Sequence, residues 1–225
     1  MKILALDTAT EACSVSLAVG TQQLDRFVEL GRGHAESLLP MIDALLAEAG
    51  ITLRALDAIA FGRGPGAFTG VRLAASVAQG LAFGAELGVV PVSDLAAVAQ
   101  RAGELRPDAE RLLAVNDARM QEVYWAEFTR AGCVEAAGPE RVSAASEVTL
   151  PRSGAWVAAG RGLRAAPALA ERCQRAGAVV LDDLLPRASE ILALARPSVA
   201  SGQLLPPERA LPVYVRDRVV APVLS

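Results

Sequence analysis

Gly62-Arg63-Gly64-Pro65-Gly66-Ala67-Phe68-Thr69-Gly70-Val71-Arg72 places four glycines and a proline between an apolar run at residues 56–61 and an alanine-rich amphipathic run at residues 73–85. Glycine accepts positive φ and lets backbone come close to another group. A glycine-rich loop feeding a helix start therefore has the form of an anion cradle, with free N–H groups and the positive end of the helix dipole facing one point. Two familiar versions are excluded. A P-loop needs its lysine, and the only lysine of the chain is Lys2. The dinucleotide fingerprint needs glycine where Gly64-x-Gly66 is followed by Thr69, and no ordinary strand–helix–strand unit precedes it.

Outward from the loop, the chain reads as α/β. Apolar runs at 2–7, 13–19 and 24–30, parted by turn-prone residues, predict a meander of three strands. A helix is expected over 35–49, with Leu38, Ile42 and Leu45 on one face, Pro40 bending it or marking a late start, and Gly50 closing it. A strand at 56–61, the glycine loop, a helix at 69–86, a strand at 89–92 and a helix at 93–101 follow. The polar stretch 102–110 is the best boundary, giving units at 1–102 and 103–225. The second unit is expected to hold strands at 112–116, 122–128, 155–159 and 179–181 and helices at 163–175 and 188–195. Its proline-rich tail reads as extended and packs back on the first unit. Both halves share a strand-strand-helix logic, a sign of a duplicated α/β fold.

Composition narrows the classes. A chain of 225 residues with 52% hydrophobic and 21% charged residues has enough apolar material for a sizeable core. A net charge of −3 supplies no electrostatic footprint for gripping nucleic acid unaided. Cys13, Cys133 and Cys173 are odd in number, widely spaced and form no CxxC pair, as in a reduced cytosolic protein. No run is long enough to span a membrane, and the opening residues reach Asp7 too soon for a secretory segment. The chain reads as cytoplasmic.

The chemistry is limited by one residue type. His34 is the only histidine, so a Ser-His-Asp or Cys-His triad would have to use it, and zinc sites needing two imidazoles are excluded. Asp7, followed by Thr8-Ala9-Thr10, sits where an acid and hydroxyls would suit a magnesium water shell and phosphate oxygens; the plainer reading is an Asx turn between two strands. Asn116, Asp117, Arg119 and Glu122 form a second polar turn, read as ordinary hairpin chemistry or as a substrate contact. The candidate anion or nucleotide residues are Asp7, Thr8, Thr10, Gly64, Gly66, Thr69 and Gly70. No catalytic residue and no metal ligand is assigned.

Ala5-Leu6-Asp7-Thr8-Ala9-Thr10, the loop from Gly64 to Arg72, Asp117-Ala118-Arg119-Met120-Gln121-Glu122-Val123-Tyr124, and Leu211-Pro212-Val213-Tyr214-Val215-Arg216 closely resemble the bacterial TsaB (YeaZ) family, in order and over nearly the whole length. The resemblance implies the ASKHA fold (actin, Hsp70, sugar kinases; ribonuclease H-like) in two subdomains. It also implies a part in making threonylcarbamoyladenosine beside the anticodon of tRNAs that read codons starting with A. In that family the chain is a non-catalytic partner of TsaD, the transferase, and the ATPase TsaE joins them; tRNA is met only through the complex. ATP, ADP and magnesium then belong to the complex, and no cofactor is assigned to this chain. The alternative is an ATP-binding ASKHA-type enzyme that uses Asp7 and the 62–70 loop.

Two departures favour the partner role. TsaD relatives carry two metal-binding histidines four apart, where this chain has His34 and Leu38; the ASKHA Asp-x-Gly-Thr turn carries Ala9 in place of glycine. The family implies that the helices at 35–49 and 69–86 form the interface with TsaD or with a second copy of the chain. The candidate interface side chains are Leu38, Ile42, Leu45, Val71, Ala74, Ala75, Ala78 and Ala82.

Overall fold

A computed structural model describes residues 1–151 and 154–216. Strand β1 (Lys2–Asp7) is buried from Ile3 onward, because both faces of its sheet are covered. Leu4 and Leu6 point to one side, packed with Leu38, Ile42, Ala74 and Ala78, while Ile3 and Ala5 point to the other, packed with Ile191 and Ala195. A run without polar alternation is what such a central strand requires.

β1, β2 (Ala12–Val19) and β3 (Gln22–Glu29) form the expected antiparallel meander; β4 (Ala58–Gly62) and β5 (Gly88–Val92) add parallel strands, giving the order β3-β2-β1-β4-β5. Helix α1 (His34–Ala49) starts well before Pro40 and closes at Gly50, whose φ of 64° is followed by an Ile51 N–H donated to the Leu46 carbonyl. Helix α2 (Phe68–Ala85) crosses from β4 to β5 and lies on the same side of the sheet as α1.

The second sheet has the order β11-β10-β6-β7-β8, with β9 also paired to β7. Its strands are β6 (Arg111–Asp117), β7 (Glu122–Ala131), β8 (Cys133–Ala136), β9 (Arg141–Ala144), β10 (Trp156–Ala159) and β11 (Val179–Leu181). The expected helix at 163–175 is two pieces, α4 (Gly162–Ala165) and α5 (Pro167–Arg175), because Ala166 precedes a proline and takes φ −127°, ψ 73°. Helix α6 (Ala188–Ala200) runs past the expected end at 195 and through Pro197.

Helix α3 (Asp94–Leu105) is capped by the Ser93 hydroxyl, which accepts from the Ala96 N–H at 3.1 Å. The expected boundary at 102/103 falls inside it. Moreover α3 packs on the second sheet, through Leu95, Val98 and Ala102 against Leu112 and Phe128, while α6 packs on the first. Each sheet is thus completed by a helix from the other half of the chain. The tail lies on the first half: Leu205 exchanges hydrogen bonds with Val89 (2.8 and 2.9 Å), and the Val213 N–H donates to the Arg63 carbonyl at 2.7 Å.

Candidate functional site

The turn after β1, the starts of α1 and α2, the β6–β7 turn and the tail enclose a cavity of about 960 Å³. Of the seven candidate anion residues, Thr8, Thr10, Gly66, Thr69 and Gly70 line it, and Asp7 and Gly64 do not. The loop is shaped by close backbone approach. A methyl group on Gly70 would strike the Thr8 carbonyl, and one on Gly66 the Ala9 carbonyl. The Ala67 N–H donates to the Ala9 carbonyl at 2.7 Å, and the Thr8 hydroxyl donates to the Gly70 carbonyl at 2.7 Å. Gly64 has φ 100°, and a Cβ there would sit 2.9 Å from the Val213 carbonyl oxygen. The glycines are spent on the chain's own backbone.

Asp7 is fully buried, and its Oδ1 accepts from the Ala9 N–H at 3.0 Å. This is the Asx turn of the plainer reading. Burial raises the Asp7 carboxyl above its ordinary range. The side chain faces Asp94 rather than the cavity, so it does not present a carboxylate to a magnesium water shell. Among the described residues no group of three or more His, Cys, Asp or Glu is placed to hold a metal.

His34 opens α1 and reaches back to the first turn, with Nε2 3.0 Å from the Thr10 carbonyl. The second polar turn borders the same cavity. Arg119, Met120 and Gln121 all have positive φ (62°, 52° and 63°), an uncommon run for side chains larger than glycine. The Asp117 Oδ1 accepts from the Arg119 N–H at 2.8 Å, and the Arg119 guanidinium reaches Glu11 at 3.4 Å. Arg216 of the tail donates to the Ala118 carbonyl at 3.1 Å and pairs with Glu122. The cavity is therefore bridged at its rim by side chains from both halves.

One cluster escapes the sequence reading. The Arg72 guanidinium lies 3.3 Å from the centroid of the Phe68 ring and 5.2 Å from that of Tyr214. Phe68 and Arg72 are four apart on α2, a spacing the sequence displays; the arrival of Tyr214 depends on the tail's return.

The eight candidate interface side chains need correcting as a surface. Leu38, Ile42, Leu45, Val71, Ala74, Ala75, Ala78 and Ala82 are all buried, at 2% exposure or less. All but Val71 belong to the core between the helices and the first sheet. An apolar stripe at helical spacing marks the face a helix gives to its own core. The opposite face of α2 carries Ser76, Gly80, Phe83 and Gly84, all exposed, and that of α1 carries Leu39, Ala44 and Ala47. Nothing lies within 4 Å of a Cβ built on Gly80 or Gly84.

No helix among the described residues is long and apolar enough to cross a membrane. The family model for TsaD, tRNA N6-adenosine threonylcarbamoyltransferase, matches residues 28–178. The chain is 42% identical over 226 aligned positions to the tRNA threonylcarbamoyladenosine biosynthesis protein TsaB of Escherichia coli, covering 97% of this chain and 96% of that one. It is 52% identical to the TsaB of Haemophilus influenzae over 130 residues, 58% of this chain and 55% of that one. Among solved structures, YeaZ from Pseudomonas aeruginosa is 46% identical and superposes with a TM-score of 0.85 over 95% of this chain and 99% of its own.

Proposed function

This chain belongs to the TsaB (YeaZ) family and has an ASKHA-like fold, and from that premise we propose that it acts as a non-catalytic partner of TsaD. In this reading TsaD transfers the threonylcarbamoyl group to N6 of the adenosine beside the anticodon, in the cytoplasm. This chain holds TsaD in its working form. TsaE joins the pair, and tRNA is met only through the assembly.

The observation that carries the reading is the packing of the glycine loop on the turn after β1. Gly66 and Gly70 lie against the Ala9 and Thr8 carbonyls, so the loop fixes the start of α2. The outer face of α2 supports the same conclusion. Glycine in a helix interior costs about 1 kcal/mol relative to alanine. Gly80 and Gly84 meet no neighbour that would require it. A second backbone approaching this face gives them a use, and Phe83, 71% exposed, gives the contact an apolar anchor. We assign this face to TsaD, and in its absence to a second copy of the chain.

The test is co-purification with TsaD in mild salt, with tRNA threonylcarbamoylation measured in depleted cells. Gly80→Trp is expected to leave the fold intact, abolish the complex and fail to restore the modification. An intact complex with Gly80→Trp removes the assigned face. Failure of the unaltered chain to bind TsaD removes the function.

A further inference from the structure

Behind the glycine loop lie two carboxyl groups that face away from the cavity. Asp7, at the end of β1, and Asp94, at the start of α3, are both 0% exposed. A methyl group on Gly62 would strike Oδ1 of both, so the glycine separates the end of β4 from a contact between acids. Each carboxyl has one oxygen engaged by backbone. Asp7 Oδ1 accepts from the Ala9 N–H at 3.0 Å, and Asp94 Oδ2 accepts from the Gly64 N–H. The remaining oxygens, Asp7 Oδ2 and Asp94 Oδ1, are buried without any donor from the rest of the described protein.

The charged groups facing the pair do not supply that donor. His34 faces Asp7 from α1, but its Nε2 lies against the Thr10 carbonyl. Arg63 faces Asp94 from the loop, but its guanidinium is taken by both oxygens of Glu140, at 3.0 and 3.1 Å. Glu140 also accepts from the Ser93 hydroxyl. Cys13 on β2 has its thiol pushed up to about 11 by burial and by the Asp7 charge, so it stays neutral beside the pair. Two ionised carboxylates enclosed together without a cation are strongly disfavoured, and a single proton between them satisfies both free oxygens.

We propose that Asp7 and Asp94 share one proton at neutral pH, forming an acid–carboxylate latch that pins the end of β1, the glycine loop and the start of α3 to one another. Burial raises both carboxyls above the ordinary range and the Asp7 charge raises that of Asp94 further, so the two titrate as a pair. The folded chain then keeps a proton that the unfolded chain releases near pH ~4. The latch's contribution is full below that pH and is lost as pH rises towards the raised folded value, by about tenfold in the folding equilibrium per pH unit.

Asp94→Asn replaces the proton with an amide N–H and keeps a carbonyl for Gly64. Its denaturant stability, compared with the unaltered chain from pH 5 to pH 7, is expected to gain by about tenfold in the folding equilibrium per unit. Infrared spectra of the unaltered chain at pH 7 are expected to show a protonated-carboxyl band, absent in Asp94→Asn and retained in the surface control Asp43→Asn. Parallel stability curves, or no such band in the unaltered chain, overturn the latch. Should Asp94→Asn not fold, Asp7→Asn tests the same pH difference and the same loss of the band.

Discussion

The glycines of the 62–72 loop and those of the α2 surface are one residue type used for opposite reasons. At Gly66 and Gly70 a side chain is excluded by the chain's own Ala9 and Thr8 carbonyls; at Gly80 and Gly84 there is open space. The first pair is explained inside the molecule. The second pair meets nothing inside the described molecule that requires glycine. A glycine count along the sequence merges the two, while asking what a Cβ would meet separates them.

The sharpest way to break this comparison is Gly70→Ala. The Thr8 carbonyl would have to move, and with it the Thr8 hydroxyl bond, so a loss of about 3 kcal/mol or more is expected in urea unfolding. A loss under about 1 kcal/mol would mean that the loop is slack and the cradle open. Next in size is Leu38→Ala, whose buried side chain should cost about 3 kcal/mol, set against Leu39→Ala on the outer face, which should cost less than about 0.5 kcal/mol. Equal costs would erase the distinction between the two faces of α1. Gly80→Ala reverses the sign: the isolated chain should gain about 1 kcal/mol, read as a higher thermal midpoint. A smaller loss than that of Leu38→Ala is expected for Arg72→Ala, which removes the stack on Phe68 and Tyr214 at a cost of about 0.5–1 kcal/mol. A larger loss there would show that the tail depends on that stack more than on the Val213–Arg63 bond.

The sequence made the first half of the fold legible. The 2–7 run, the turn at 8–11 and the glycine punctuation before 69 are strong local signals, and β1, β2 and α2 appear within a residue or so of their expected bounds. β8 and β9 were not legible, since Cys133-Val134-Glu135-Ala136 and Arg141-Val142-Ser143-Ala144 lack the unbroken apolar run of the equally short β10, and β8 is largely exposed. The exchange of α3 and α6 between sheets was hidden for a different reason. Periodicity shows that a helix has an apolar face without saying which sheet receives it. The same limit put buried side chains among the interface candidates, because Ala74, Ala78 and Ala82 advertise the inner stripe, whereas the exposed Ser76, Gly80 and Gly84 carry no hydropathic signal. Nothing in the sequence marks Asp94, and only the fold brings it beside Asp7.

The seat of α6 has a consequence for how the molecule is made. Ile3, Ala5, Ala18 and Ala60 are covered by Ile191, Leu192 and Ala195, which leave the ribosome long after the strands they cover. The first sheet therefore emerges early and waits, with one greasy face incompletely covered, until α6 has been made. A nascent chain halted at residue 110 should remain bound by chaperones, and release should coincide with the emergence of residues 188–200 instead of with completion of the first five strands.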